Sequence, residues 1–343
     1  MLYFPNKKKE KGEIVMNRKM MSFALITLAL SLILSGCTTQ GTGKGEDPAA
    51  WPSKPINVVV PAGAGGGTDL GARIVSKYLT QELGQPVNIT NIKGAGGSVG
   101  SEEVLESDND GYTMLYYHED IVTNEQLGIV DFGYRDFDVA GKIYDIDLIG
   151  IISGPKYKNM EDVKEAALKN PGQVSFAVDL ASFSHLLPYI MENEMNIDLK
   201  IIEAGGLNDR IPLLMSGQVD LCFAPIGVVK DYVTSGGLSA LGIVSEERSL
   251  LYEELPTLKE QNIDIVGKKF FNYYFPKGTN PEIITKFQEA LKAVSINPEF
   301  IQEAKDIFYN VNYADTKGAI EYLEETEVIL NENKALILND ING

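Results

Sequence analysis

From residue 57 onward, short apolar runs alternate with stretches of helical period. NVVV (57–60) reads as a strand, because its three valines favour extended backbone. In residues 69–83, Leu70, Ile74, Tyr78 and Leu79 fall on one face of a helix, and Gly84 ends it. VNIT (87–90) is a second strand, and a helix follows to about Ser107. DNDG (108–111) is a turn and YTMLYY (112–117) a third strand. This β-α-β-α-β order predicts a parallel sheet with helices on both faces.

The middle of the chain repeats the pattern. A helix spans about 160–169, QVSFAV (173–178) is a strand, and 183–195 is helical. LKIIEA (199–204) runs into Gly205-Gly206 and a helix at 208–216. QVDLCFA (218–224) and LSALGIV (238–244) are strands with a helix between them. FFNYYF (270–275) precedes helices near 281–294, 298–307 and 316–334. Two α/β lobes follow: one from 51–150 plus 273–343, the other from 151–272. Ligands of such sheets sit at the carboxyl ends of the strands.

The N-terminal apolar run has a different meaning. Arg18 and Lys19 precede apolar residues from about Met20 to Leu34, then Ser35-Gly36-Cys37. That is a signal-peptide pattern over residues 1–36, with Met16 a candidate start. At roughly 15 residues the run is short for a membrane span. LSGC (34–37) resembles a bacterial lipobox, which makes Cys37 the lipidated residue and a membrane anchor. TTQGTGKGEDPAA (38–50) continues as a flexible tether. The net charge is −18, and residues 1–36 hold six basic residues against two acidic ones, so the remainder is more acidic still. Nucleic acid and anionic lipid are therefore not expected partners. An anionic ligand would have to be held by local dipoles.

Cys222, in the strand-like VDLCFA, reads as a buried thiol. The histidines are His118 and His185, far apart in sequence, so neither a metal site nor a cofactor is expected. A calcium loop counted from Asp108 fails at Tyr112 and Thr113. The first glycine loop, Ala62-Gly63-Ala64-Gly65-Gly66-Gly67-Thr68-Asp69, offers a concavity of N–H groups and a helix N-terminus. Counted from Gly63, its sixth position is Thr68, so it is not a dinucleotide fingerprint. It has no Lys, so it is not a P-loop. The second loop, Gly96-Gly97-Ser98-Val99-Gly100, matches the G-x-S-x-G nucleophile elbow. A hydrolase using Ser98 is one reading, although the spacing assigns it no base. A third constellation is Ser182-Phe183-Ser184-His185, where a serine caps a helix or offers its hydroxyl to a carboxylate.

WPSKPINVVVPAGAGGGTDLGAR, LGQPVNITNIKGAGGSVG and DGYTMLYY resemble the solute receptors of tripartite tricarboxylate transporters, the Bug proteins. SFSHL (182–186), AGGLNDRIPLLMSGQVDL (204–221), ELPTLKEQNID (254–264) and FPKGTNPEII (275–284) extend the resemblance from Trp51 nearly to the C-terminus. It implies an α/β, two-lobed periplasmic-binding-protein fold (type II-like), each lobe a sheet flanked by helices, with the ligand cleft between lobes. Together with the LSGC segment, it implies a lipid-anchored, monomeric extracytoplasmic receptor. Such a receptor binds a small organic carboxylate or amino acid and passes it to membrane subunits, with no reaction catalysed. Carried over residue by residue, it places ligand contacts at Ala62, Gly63, Ala64, Gly65, Gly66 and Asp69, and at Gly96, Gly97 and Ser98. In the second lobe they fall on Ser182, Ser184, His185, Gly205 and Asp220; His185 and Asp220 also suit structural roles.

The chain departs from the family pattern in two places. Asp179, Leu180 and Phe183 stand where small residues are usual, and Tyr116, Tyr117, His118, Glu119 and Asp120 follow the third strand. Tyr117 and His118 join the candidate site on this account. An acidic, aromatic rim predicts a ligand whose distal half is aromatic, neutral or cationic. A secreted serine hydrolase and a ligand-sensing partner of a membrane kinase remain alternatives at this level.

Overall fold

The computed structural model describes residues 48–341 except 181 and 268, with side chains through 335. Cys37, the signal segment and most of the tether lie outside the described residues.

The first βαβ unit forms where the glycine punctuation predicts it. Strand β1 (Ile56–Val60) lies between β2 (Val87–Asn91) and β3 (Thr113–Tyr117), parallel to both. Helix α1 (Gly67–Leu83) connects β1 to β2 and ends on left-handed Gly84. Helix α2 (Ser98–Leu105) connects β2 to β3. The buried face of α1 is rotated from the predicted one. Leu70 and Ile74 are only half-buried, whereas Gly71, Ala72, Val75, Tyr78 and Leu79 are buried. The cause is a set of tyrosines beneath the helix. A Cβ on Gly67 would stand 2.7 Å from the Tyr309 hydroxyl, and one on Gly71 would stand 2.9 Å from that of Tyr116. Small residues at this face let α1 settle onto the sheet.

The parallel sheet expected from element order is only half of the observed one. Strand β4 (Phe137–Ile146), β10 (Lys269–Pro276) and β11 (Asn310–Ala314) complete it in the order β11-β4-β10-β3-β1-β2. Strand β10 runs antiparallel to both β3 and β4. It enters from the other lobe, so no right-handed crossover constrains its direction. Strand β4 escaped the apolar pattern because it carries a lysine in the core. Lys142 is fully buried; its ammonium pairs with Asp145 and lies 3.7 Å from the Tyr322 ring centroid.

The second sheet contains β5 (Ile149–Ser153), β6 (Val174–Val178), β7 (Leu199–Glu203), β8 (Leu221–Pro225) and β9 (Ser239–Ile243). Their order across it is β7-β6-β8-β5-β9. Its helices include α4 (Met160–Lys169), α5 (Phe183–Met195), α6 (Leu207–Met215) and α7 (Ile226–Thr234). The chain thus crosses between sheets after β4 and again before β10. A short helix, α3 (Asp120–Gln126), follows β3 directly. Helices α8 (Pro281–Ser295) and α9 (Pro298–Asp306) each begin with Asn-Pro. In both, the Asn oxygen accepts from a first-turn N–H at 2.9 Å and proline occupies N1. Helix α10 (Thr316–Ile341) closes the chain. Its Ala319, Leu323 and Leu330 share a buried cluster with Phe270, Ile121 of α3 and Leu186 of α5, so one apolar core touches both lobes.

Candidate functional site

A cleft of about 760 Å³ opens where the carboxyl ends of β1, β2, β3 and β6 converge. Ala62, Gly63, Ala64 and Gly66 line it, as do Gly67 and Thr68. Gly67 and Thr68 open α1, and first-turn N–H groups have no acceptor within their own helix. The neighbouring Asp69 is turned away from the cleft and 1% exposed. Its carboxylate accepts from Gly65 N (2.7 Å), Arg73 Nε (2.9 Å) and Asn91 Nδ2 (2.9 Å). Asn91 Nδ2 also donates to the Ala62 carbonyl at 3.1 Å. Burial raises the Asp69 carboxyl, but Arg73, Gly65 and Asn91 outweigh it and hold it below the ordinary range. Asp69 therefore ties the first loop to the end of β2. Gly65, whose N–H it draws inward, does not line the cleft; nor does Asp69.

Gly96 and Gly97 line the cleft from the second loop. Tyr117 Oη and Asn124 Nδ2 (2.9 Å) both donate to the Gly96 carbonyl, which fixes the loop on β3 and α3. Gly97 has φ +91°, and a Cβ there would collide with the Tyr117 hydroxyl. Ser98 lies under the loop, 6% exposed and outside the cleft lining. Among the described residues, neither histidine hydrogen-bonds its hydroxyl. His185 is fully buried on α5 with its ring 5.7 Å from that of Tyr189, and His118 lies at the end of β3. The nucleophile elbow is therefore a sequence match without a base.

The second lobe closes the cleft with two helix starts. Ser182 and Ser184 line it, but their hydroxyls serve the turn. Ser182 Oγ donates to the Asp179 carbonyl at 2.7 Å and accepts from Ser184 N at 3.1 Å. Ser184 Oγ accepts from Asp179 N at 3.2 Å. Gly205, Gly206 and Leu207 bring the N-terminus of α6 to the cleft, with no capping side chain on Gly206. The first-turn N–H groups of α1 and α6 thus line one cleft from opposite lobes. Among the described residues, two hydrogen bonds join the lobes across it: Asn208 Nδ2 donates to the Ala64 carbonyl at 2.7 Å, and Phe183 N donates to Asp120 Oδ1 at 2.8 Å. His185 and Asp220 do not line the cleft. Asp220 accepts from Ser175 N (3.0 Å), Ser175 Oγ (2.9 Å) and Lys156 Nζ (2.8 Å), which places it in the structural role.

A model of the family described as the tripartite tricarboxylate transporter family receptor matches residues 71–340. The chain belongs to this family. It is 29% identical over 287 residues to the protein BugT of Bordetella pertussis, covering 80% of this chain and 88% of that one. The solved periplasmic binding protein BugD is 25% identical, covers 83% of this chain and 99% of its own, and superposes with a TM-score of 0.74. An R. palustris protein solved with adipate is 20% identical, covers 83% and 98% of the two chains, and shares the fold with a TM-score of 0.76. The family consists of solute receptors, so the receptor is not an enzyme and the hydrolase alternative falls.

The receptor's cleft carries charge that the glycine motifs do not announce. Asn208, Arg210, Lys269 and Glu203 line it, and sequence reasoning singled out none of them. Their only signal was position: Asn208 and Arg210 follow Gly205-Gly206 in the quoted AGGLNDR. His118, Glu119 and Asp120, all buried, form one wall. His118 Nδ1 lies 3.7 Å from Glu119 Oε2 and 3.6 Å from Asp120 Oδ2, and one ligand atom from each residue falls within 4.8 Å of the others. This is the metal-type grouping that the separated histidines argued against; it arises because all three residues are consecutive. Lys269 Nζ reaches Glu119 Oε1 at 3.0 Å. Burial, with Lys269 nearby, lowers the His118 imidazole well below its ordinary range, so it is neutral. Burial pushes the Asp120 carboxyl up to about 7 and that of Asp179 up to about 6.

Proposed function

We propose that the receptor captures a small organic carboxylate or amino acid outside the cytoplasm, by closing two lobes on it, and delivers it to the membrane subunits of a transporter. The observation that carries this reading is the pair of helix N-termini, α1 and α6, lining one cleft from opposite lobes. Their first-turn N–H groups and positive ends suit a carboxylate, and they need no arginine to hold it. A cleft of about 760 Å³ matches a small solute. The structural relative solved with adipate, a dicarboxylate, supports the same ligand class. The contacts proposed are the cleft-lining residues Ala62, Gly63, Ala64, Gly66, Gly96, Gly97 and Gly205. The connections after β4 and before β10 act as the hinge. Cys37 of the LSGC segment carries the lipid that keeps the receptor, as a monomer, beside its membrane subunits.

Native mass spectrometry of the purified protein, followed by titration calorimetry with a panel of carboxylates and amino acids, tests this. The expected result is one bound small acid per chain with heat of binding. A protein that binds no member of the panel, and carries no small acid when purified, would overturn the reading. Among the described residues, no helix is long and apolar enough to cross a membrane.

A further inference from the structure

The acidic wall is the part of this cleft that a simple carboxylate leaves unexplained. Five carboxylates line the cleft: Glu119, Asp120, Asp179, Glu203 and Asp209. Three cations accompany them: Lys93, Arg210 and Lys269. The protein pairs one of the carboxylates in full and a second in part. Glu203 accepts from Leu180 N (2.7 Å) and Gly205 N (3.0 Å), and Glu119 Oε1 accepts from Lys269. Of the other three, Asp209 is exposed to solvent, whereas Asp120 and Asp179 both feel the same Arg210 guanidinium. Arg210 is held in place by its donation to the Phe223 carbonyl at 3.3 Å. Two carboxyls thus share one guanidinium.

A second observation points to a missing donor. Glu119 is 2% exposed and lines the cleft, yet its Oε2 has no hydrogen-bond partner. A buried carboxylate oxygen without a donor is destabilising, the more so when charged. His118 does not supply the donor. Its Nδ1 stands 3.7 Å from that oxygen and accepts instead from Asp120 N at 3.4 Å.

Resting on the receptor reading above, we propose that the ligand carries an ammonium group, held by Glu119 Oε2, Asp120 and Asp179 while its carboxylate lies at the N-termini of α1 and α6. An ammonium brings three donors and one positive charge. Three donors match one unpartnered oxygen and two further carboxyls that share a single guanidinium. Asp120 already holds Phe183 N of the second lobe, and Asp179 belongs to that lobe. An ammonium between them therefore adds a bond across the cleft only when the lobes are shut. A divalent metal ion fits less well, because Lys269 sits 3.0 Å from Glu119 and places a fixed positive charge beside it. The raised carboxyls of Asp120 and Asp179 agree with a wall that awaits a cation.

The test is titration calorimetry with length-matched pairs: 4-aminobutanoate against succinate, 5-aminopentanoate against glutarate, and aspartate and glutamate beside them. In the best-binding pair, the amine-bearing acid is expected to bind at least tenfold more tightly than its dicarboxylate. Asp120→Asn keeps an acceptor for Phe183 N, and Asp179→Asn alters a half-buried side chain, so both are expected to fold. Each should weaken the amine-bearing acid about tenfold while leaving or improving the dicarboxylate, a reversal that a purely structural role would not produce. Tighter binding of dicarboxylates, unchanged by either substitution, would overturn the ammonium site and leave the receptor reading intact. Dicarboxylate binding that requires an added divalent cation would overturn it as well. Failure of both series to bind would sink both.

Discussion

At the scale of residues, the aspartates of this cleft divide by their surroundings. Asp69 is surrounded by donors, so its carboxyl stays below the ordinary range. Its stabilising contribution is present above the unfolded value and is lost as pH falls through the lowered folded value. Asp120 is the opposite case. Burial, with neighbouring Glu119 and against Lys269 and Arg210, raises its carboxyl to about 7. Asp179, raised to about 6, faces the same Arg210 and Asp120, and the neutral His118 adds no charge. A raised carboxyl means that the folded state binds the proton more tightly than the unfolded chain does. The empty receptor should therefore gain stability as pH falls from above 7 toward 4. Calorimetric scans without ligand are expected to show Tm rising by roughly 2–4 °C between about pH 7.5 and about pH 5. Asp120→Asn should flatten much of that rise; an unchanged slope would show that the carboxyl is already ionised. Asp69 was visible in the sequence, but its inward direction was not. The sequence placed it in the first helical turn, whereas the partners that turn it, Asn91 and Arg73, depend on how β2 lies beside β1.

At the scale of elements, the two glycine loops look alike in sequence and differ in what their glycines do. Gly67 admits the Tyr309 hydroxyl and belongs to the packing of α1 on the sheet. Gly66 has φ −77°, which any residue adopts, and a Cβ there would meet the Gly63 carbonyl at 3.4 Å, an ordinary contact. A valine at Gly66 should therefore fold and fill the cleft mouth. Its Tm is expected to stay within about 3 °C of the parent while ligand affinity drops at least about a hundredfold. Gly97→Ala should instead cost about 2–4 kcal/mol of stability, because a left-handed backbone and a collision with Tyr117 act together. Urea unfolding separates the two outcomes. Equal loss of stability at both positions would contradict this division. Most helices and strands were legible at this scale because apolar period and Asn-Pro or Gly boundaries are local. Strand β4 was not, since Lys142 and Gly141 interrupt its apolar run, and β11 was not, since NVNYA is half polar.

For the whole molecule, the two lobes meet through a few named groups. Asn208 bonds Ala64 across the cleft at 2.7 Å, while Leu323 and Leu330 of α10 share a core with Leu186 of α5. Removing the first contact should leave the lobes intact and shift them toward an open arrangement. Asn208→Ala is expected to weaken ligand binding by about 2–10-fold, chiefly through faster release, since one hydrogen bond is worth about 0.5–1.5 kcal/mol. Stopped-flow release rates and small-angle scattering of the empty variant check this, and an unaltered release rate would remove Asn208 from closure. The sequence by itself determined the alternation of strands and helices, the glycine loops, the acidic balance and the family, because each is written in local spacing or ordered motifs. Only the tertiary structure decided which glycines line the cleft, that Ser98, His185 and Asp220 stand outside it, and that β10 runs antiparallel. It also decided that Asp120 from one lobe and Asp179 with Arg210 from the other would form a single wall. The physical reason is distance along the chain: backbone conformation follows from neighbours, whereas charge in a cleft is the sum of groups that only the closed fold brings together.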